Sequence, residues 1–425
     1  MRVSKKSTGR DLNLRIDLKE WQDIGELPEF KDNPFLPIRS ISPDIRPFVD
    51  ISDISPNGIR IKAKNYVGIL PLSEEVTVTV NPKAPIEDFL YLLYKAQGRR
   101  VSIKELKEIV RAGRRFARQY PNIFHFLIYI LLIELEKIRS FGFLKASKFY
   151  TQDKVVKGKV LVKETISRWM KGNKSKVVCG SFELSKDNSE NRAIKFTLWM
   201  LLSLYSQSLG REIKNNFFEK YRWFEGIPLG QGIEFIDDVE DAITYKTLPN
   251  SRSYYYDILN LCMFFITHST LEYKSPKEVK IKSFVVDMNK VFEEYIYNIL
   301  REKLTQQYEV KRYSKRPLFD NTMKYEVEPD YLILKNDRII TIADAKYKTE
   351  PTTDDFYQIL IYADRYNVTN TLLIYPSWLG TTYTESYLFK EKRVNIIYYN
   401  MLDIEGSEED LIRTITEESN GRNGR

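Results

Sequence analysis

Apolar and polar residues alternate with a period of two in two early stretches of the chain. In EEVTVTVNPK, Val76, Val78 and Val80 alternate with Thr77 and Thr79, and IRIKAKNYVGILPL precedes it with similar runs. Successive side chains on a strand face opposite ways, so both stretches predict β-strands separated by turns. The opening 50 residues carry several prolines and little periodicity, which suits a loop-rich or extended entry. From about residue 96 the pattern becomes helical. FHFLIYILLIELEKI reads as a buried helix, and NRAIKFTLWMLLSLYSQSLG as another that ends at a glycine C-cap. Between them, DKVVKGKVLVKETI predicts a short β element.

Beyond the polar stretch EYKSPKEVK the pattern changes again. A helix is expected over VDMNKVFEEYIYNIL, where Val291, Tyr295 and Ile299 recur on one face. Two strand-like runs follow, VEPDYLIL and RIITIADAKYK, joined by the compact hairpin signal Lys335-Asn336-Asp337. A helix through Gln358 and Tyr362 leads to a strand at TNTLLIYP, an order that suits a mixed sheet flanked by helices. At 425 residues the chain exceeds one ordinary core. It divides into a small β-rich domain over 1–95, a mainly helical domain over 96–274 and an α/β domain over 275–425, an α+β multidomain protein without internal repeats.

Composition narrows the chemistry. Lys and Arg number 66 against 58 Asp and Glu, and the resulting +8 fits a phosphate-bearing partner without demanding one. One basic cluster comprises Arg99, Arg100, Lys104, Lys107, Arg111, Arg114, Arg115 and Arg118, and a second runs from Lys154 to Lys176. Either could line a phosphate path, with solvated helix faces as the default. Cys179 and Cys262 stand alone in apolar surroundings, which excludes a CxxC zinc site and predicts buried reduced thiols. His125 and His268 have no partner at ligand spacing and read as packing residues. Acid–base or metal chemistry therefore falls to carboxylates and lysine. The basic start is followed by no apolar signal region, and the longest apolar run, Phe126 to Ile133, is far short of the roughly 20 residues of a bilayer span, so a soluble, cytoplasmic protein is expected.

One stretch carries that chemistry. Pairing VEPDYLIL with RIITIADAKYK brings Asp330 close to Asp344, and alternation points Asp344 and Lys346 to one face. Two carboxylates and an ammonium at a hairpin end suit phosphodiester cleavage. The carboxylates would hold Mg²⁺ or Mn²⁺, and the lysine would orient a water or stabilise the transition state. Glu293, near the start of the upstream helix, could be a third acidic group or an ordinary solvated glutamate. Gln358 and Tyr362, one turn apart, could steady the lysine or contact DNA, or form the polar edge of an amphipathic helix.

Pro329-Asp330, Asp344-Ala345-Lys346 and Glu293 resemble the PD-(D/E)xK nuclease signature, and Gln358 to Tyr362 resembles the QxxxY motif of its RecB-like branch. More narrowly, KNYVGILPL, VTVNPK, DNSENRAIK, VFEEYI, EPDYLIL, DAKYK and YQILIYA resemble the McrC family in order, over about residues 60 to 375. The resemblance implies a restriction-endonuclease-like C-terminal domain, with Asp330 and Asp344 as metal ligands and Lys346 as the catalytic lysine. Glu293 becomes an accessory acid and ligand, and Gln358 and Tyr362 supporting residues. It also implies a hexameric AAA+ GTPase partner, McrB, contacted by the N-terminal region, and double-stranded DNA as substrate. The chain has no GxxxxGK[ST] loop, so GTP would be bound by the partner. Two alternatives stay open: a stand-alone RecB-like nuclease, and a non-catalytic activator of an AAA+ protein.

Overall fold

A computed structural model of the chain describes residues 14–73, 75–98, 123–205, 211–229, 235–275, 278–304 and 307–420. They belong to two compact units, one formed by residues 1–126 together with 283–425 and the other by residues 127–282. The three-segment reading divides the chain differently, because strand pairing and helix packing join residues that lie some 200 positions apart in sequence.

The first unit opens with β1 (Leu14–Lys19), β2 (Val49–Ser55), β3 (Gly58–Ala63), β4 (Tyr66–Pro71), β5 (Val76–Asn81) and α1 (Ile86–Ala96). It resumes at the end of β6 (Glu278–Asp287), followed by α2 (Met288–Lys303). β1 pairs parallel with β5, β5 antiparallel with β4, and β4 antiparallel with β6. Val76, Val78 and Val80 are all buried, as their alternation predicts. The KNYVGILPL stretch contains a close approach. At Gly68, opposite Val285, a Cβ would stand 2.3 Å from the carbonyl oxygen of Phe284, so a side chain there would push β4 off β6. α1 lies beside α2, where Asn298 Nδ2 donates to the carbonyls of Lys95 (2.9 Å) and Ala96 (3.1 Å) at the α1 C-terminus, the first of which also accepts from Gly98 N.

The same unit continues through β7 (Tyr308–Lys311), β8 (Arg316–Phe319), β9 (Thr322–Val327), β10 (Tyr331–Lys335), β11 (Arg338–Ala345), α3 (Thr353–Arg365), β12 (Asn370–Ser377), β13 (Tyr383–Phe389), β14 (Lys392–Asn400) and α4 (Ile404–Asn420). A six-stranded mixed sheet runs β7-β10-β11-β12-β14-β13, parallel between β11 and β12 and between β12 and β14. β8 and β9 form a separate hairpin. One face packs under α3 through Leu332, Ile342, Ile359, Tyr362, Leu373 and Tyr375. Alternation turns Ile333, Ala343, Ile374 and Tyr399, all fully buried, to the other face. The near-continuous apolar character of β12 and β14 follows from burial on both faces.

The second unit is mainly helical, with most of Ile123–Phe141, the helix expected over FHFLIYILLIELEKI, and with Ser189–Tyr205, Arg211–Trp223, Ile236–Thr244 and Tyr255–Thr267 as its principal helices. The predicted glycine cap at residue 210 lies outside the described residues, as does the basic cluster from Arg99 to Arg118. A small sheet of Ala146–Gln152, Cys179–Ser185 and Lys159–Val160 lies in the sequence between Ile123–Phe141 and Ser189–Tyr205. The β element expected over DKVVKGKVLVKETI is thus confined to Lys159–Val160, and Val162–Met170 is helical. The reason is local: Thr165 Oγ1 accepts from Val178 N (3.0 Å), which holds the first helical turn against the neighbouring strand. In the basic cluster from Lys154 to Lys176, Arg168 and Lys176 pair with Asp153 and Lys157 pairs with Glu183, as a solvated face would. Both cysteines are buried and unbridged, and burial pushes the Cys262 thiol up to about 12. The ring of His268 packs on Phe264. Among the described residues no helix is long and apolar enough to cross a membrane.

The DNSENRAIK stretch holds the base of that small sheet. Asp187 takes Arg192 Nε at 2.6 Å and Lys148 Nζ at 2.5 Å. Asn191 is buried, donates to the carbonyls of Leu144 (2.9 Å) and Lys186 (2.7 Å), and accepts from Tyr255 Oη (2.9 Å). Its amide therefore joins both ends of the segment that carries the sheet. Asn191→Leu strands these groups in the interior and is expected to cost about 2–3 kcal/mol in urea unfolding. Faster hydrogen exchange over 144–187 should accompany it, and an unchanged exchange pattern there would refute the clasp.

Candidate active site

The site begins with a turn. Asn336 (φ 51°) and Asp337 (φ 62°) both adopt left-handed backbone, the two-residue geometry that matches the twist of a tight hairpin. Lys335 faces Arg338 and Leu334 faces Ile339, but then Ile333 faces Thr341, so a bulge at Ile340 shifts the register by one. The shift decides the chemistry. Without it, Asp330 would lie opposite Ala343; with it, the register continued by one residue sets Asp330 opposite Asp344, on the same face. The N–H of Ala345 donates to Asp330 Oδ2 at 2.9 Å and fixes the first carboxylate against the second strand.

Asp344 is 2% exposed, and its Oδ2 lies 2.5 Å from Lys346 Nζ. That oxygen is buried and, despite the ion pair, accepts no hydrogen bond of ordinary geometry. Lys346 follows β11 directly, and its N–H donates to the carbonyl of Ile374 at 2.9 Å, so the backbone beneath the lysine belongs to the sheet. Burial works against the ammonium, but Asp344 and then Asp330 more than offset it, and Lys346 is held above its ordinary range. Lys346 is therefore a cation at neutral pH. Asp330 is pushed up by burial first, then by Asp344 and Glu293, against the opposing pull of Lys346. Glu293 is likewise raised, by burial first and then by Asp344, while Lys346 and Arg312 oppose the shift.

Glu293 comes from α2. Asp287 caps that helix by accepting from Asn289 N (3.0 Å), and Tyr331 Oη donates to the Glu293 carbonyl (2.7 Å), tying α2 to β10 beside Asp330. Val291, Tyr295 and Ile299 are buried, as the four-residue repeat predicts. On α3, Gln358 Nε2 donates to Tyr362 Oη at 2.7 Å. The Tyr362 phenol is raised by burial and by Asp344, which puts it within electrostatic reach of the carboxylate. Asp330, Asp344 and Lys346 are thus brought together, Glu293 acts on them through its charge, and Gln358 and Tyr362 form a bonded pair beside them. Among the described residues, no three His, Cys, Asp or Glu side chains are gathered closely enough to hold a metal by themselves.

Sequence reasoning missed two buried carboxylates that bond residues flanking this centre. Asp355 takes Lys348 Nζ (2.7 Å), Thr352 N (2.8 Å) and Tyr375 Oη (2.8 Å), which anchors the start of α3. Burial would raise it, but Lys348 and those hydrogen bonds hold it below the usual carboxylate range. The T-x-x-D capping pattern was a usable signal for it. Glu20, which meets the hydroxyl of Tyr347, left no signal of that kind.

Comparison with known proteins agrees with this architecture. A family model described as a McrBC 5-methylcytosine restriction system component matches residues 61–376. The chain belongs to the McrBC family. Among solved structures it is similar to a chain in a refined half-complex from the tetradecameric assembly of Thermococcus gammatolerans McrB AAA+ hexamers with bound McrC, at 20% identity and a TM-score of 0.64, over 95% of this chain and 99% of that one. That likeness supports the fold. A chain of the Thermococcus gammatolerans McrBC complex matches at 20% identity over 69% of this chain and 88% of that one, with a TM-score of 0.45. The comparison with curated proteins finds no match.

Proposed function

We propose that the chain is the nuclease subunit of a McrBC-like modification-dependent restriction system, a metal-dependent endonuclease that cuts double-stranded DNA in the cytoplasm. The observation that carries the reading is the bulge-set register that puts Asp330, Asp344 and Lys346 together at the end of one hairpin. The mixed sheet with this motif fits the PD-(D/E)xK fold, and family membership supports the restriction role. The solved assembly of McrB AAA+ hexamers with bound McrC supports a hexameric AAA+ GTPase as partner, which this chain would bind and stimulate.

The donor set fits a hard divalent cation. Asp344 Oδ2 is buried without a well-formed hydrogen bond, and burial with mutual repulsion raises Asp330; a cation between the carboxylates would relieve both costs. Asp330 and Asp344 would hold Mg²⁺ or Mn²⁺, with Glu293 as accessory acid, since such ions keep several waters and need few protein ligands. When bound, the ion supplies charge neutralisation at the phosphate and a more acidic water. The charged ammonium of Lys346 stabilises the oxyanion that develops on the phosphate and orients the attacking water. Asp344 holds that ammonium in place, and the Gln358–Tyr362 pair sets the Tyr362 phenol within its electrostatic reach.

The test is cation removal. With the AAA+ partner, GTP and methylated plasmid present, cutting by the full chain is expected to stop in excess EDTA and return with added Mg²⁺ or Mn²⁺. Undiminished cutting in EDTA would rule out the metal reading.

A further inference from the structure

We propose that Glu20 is a positioning residue for Lys346, acting from the N-terminal strands through the hydroxyl of Tyr347. The inference rests on the nuclease reading above and assigns a control point to the same site. Glu20 follows β1 and is 2% exposed. Its Oε2 accepts from the Lys83 N–H at 2.9 Å and from Tyr347 Oη at 3.2 Å. Its Oε1 is buried and has no hydrogen-bond partner among the described residues. A carboxylate in that setting is an expensive residue, and a glutamine or an apolar side chain of similar size would be cheaper to bury. The cost makes sense if the negative charge has a task.

Tyr347 indicates the task, because it is the residue next to Lys346. Its ring is enclosed by Trp21 (5.2 Å), Phe292 (5.6 Å) and Trp378 (6.2 Å), and Phe292 in turn precedes Glu293. Trp21 reaches it from a turn with φ 58°, a conformation that a bulky residue adopts only where its surroundings enforce it. The packing sets where the Tyr347 ring lies, and Glu20 sets how its hydroxyl end is turned. Because Lys346 and Tyr347 share a peptide link just past the end of β11, anchoring the Tyr347 hydroxyl on Glu20 stiffens the segment that presents the lysine to Asp344.

The groups around Glu20 are few. Lys83 is the cation that acts on it, with its ammonium over the rings of Trp378 (4.7 Å) and Trp21 (5.6 Å), and Tyr347 is the titratable group in contact. Trp21, Trp378 and Phe292 carry no charge. Burial lifts Glu20 to about 7. The ionised form is the stronger acceptor for the tyrosine, so the clamp tightens as pH rises through neutrality.

The experiment uses the full chain with its AAA+ partner, Mg²⁺ and methylated plasmid, and compares wild type, Glu20→Gln, Tyr347→Phe, the double variant and Asp344→Ala. Both single variants are expected to lose about tenfold in kcat with KM for DNA within about twofold, and the double variant should lose no more than either. Below about pH 7 the wild type should lose activity more steeply than Glu20→Gln, which has no charge to lose. Stability runs the other way. A carboxyl raised in the folded state favours folding at low pH and loses that contribution as pH rises through its folded value, so at pH 8 Glu20→Gln should melt no lower than wild type. Wild-type kcat and pH profile in both single variants, with Asp344→Ala inactive, would overturn the positioning role alone. Cutting by Asp344→Ala at the wild-type rate would overturn the nuclease reading and this inference with it. Should Glu20→Gln not fold, Tyr347→Phe keeps the same packing and decides by the same criteria.

Discussion

Replacing Asp344 by alanine is expected to reduce DNA cleavage at least about a hundredfold while leaving stimulation of GTP hydrolysis by the partner intact. The expected loss follows from two roles. On the proposed mechanism Asp344 is one of the two carboxylates that would take the cation, and it is also the anion that holds Lys346 Nζ at 2.5 Å. Losing a preorganised electrostatic contact of this kind costs about 2.7–4 kcal/mol in the barrier. The fold should survive. Asp344 is buried beside Asp330 and contributes to raising it, so its removal takes away a repulsion, and Asp330 can then ionise more easily against Lys346. Thermal melting at or above the wild-type value, with cleavage lost and GTP hydrolysis retained, would separate the two activities. Cleavage lost together with GTP stimulation would show that Asp344 supports assembly rather than chemistry.

Glu408→Ala is expected to give the largest loss of stability, about 3 kcal/mol. Glu408 on α4 is 1% exposed. Its Oε1 accepts from Tyr91 Oη and Tyr295 Oη, both at 2.8 Å, and its Oε2 lies 2.6 Å from Lys303 Nζ. Tyr295 Oη is also 2.5 Å from Tyr399 Oη, so one carboxylate joins α1, α2, β14 and α4. Truncation takes the acceptor from Tyr91, leaves Tyr295 only Tyr399 Oη to turn to and unpairs Lys303, at about 1–3 kcal/mol per stranded group. In a unit of this size that corresponds to a fall in Tm of roughly 6–12 °C. Glu408→Gln keeps an acceptor for the phenols and should lose less. If Glu408→Ala melts within a degree or two of wild type, the network carries little of the unit's stability.

The local half of the site was legible because it depends on short periods. Asp344 and Lys346 are two residues apart at the end of one strand and just past it, Gln358 and Tyr362 four apart on one helix, and both pairs are in contact. The hairpin turn was legible too, since Lys335-Asn336-Asp337 places residues tolerant of left-handed backbone where the chain reverses. The bulge at Ile340 was not. Its effect is to exchange which face meets which, and nothing in RIITIADAKYK distinguishes a bulged strand from a regular one. The expected nearness of Asp330 and Asp344 therefore rested on pairing the strands, while the shared face came from the register shift.

By itself, then, the sequence determined the strands, most helices, the hairpin and the residue types at the site, because each follows from periods of two or four and from turn chemistry within a few residues. Only the tertiary structure decided which distant pieces meet. Gly68 is reserved for β6 more than 200 residues later, Glu20 serves Tyr347, and Glu408 gathers four elements. The same distance-blindness made residues 1–95 look like a separate domain, although they pair with the strand and helix that lead to Glu293. Those contacts depend on the path of the whole chain, and side-chain periodicity carries no record of that path.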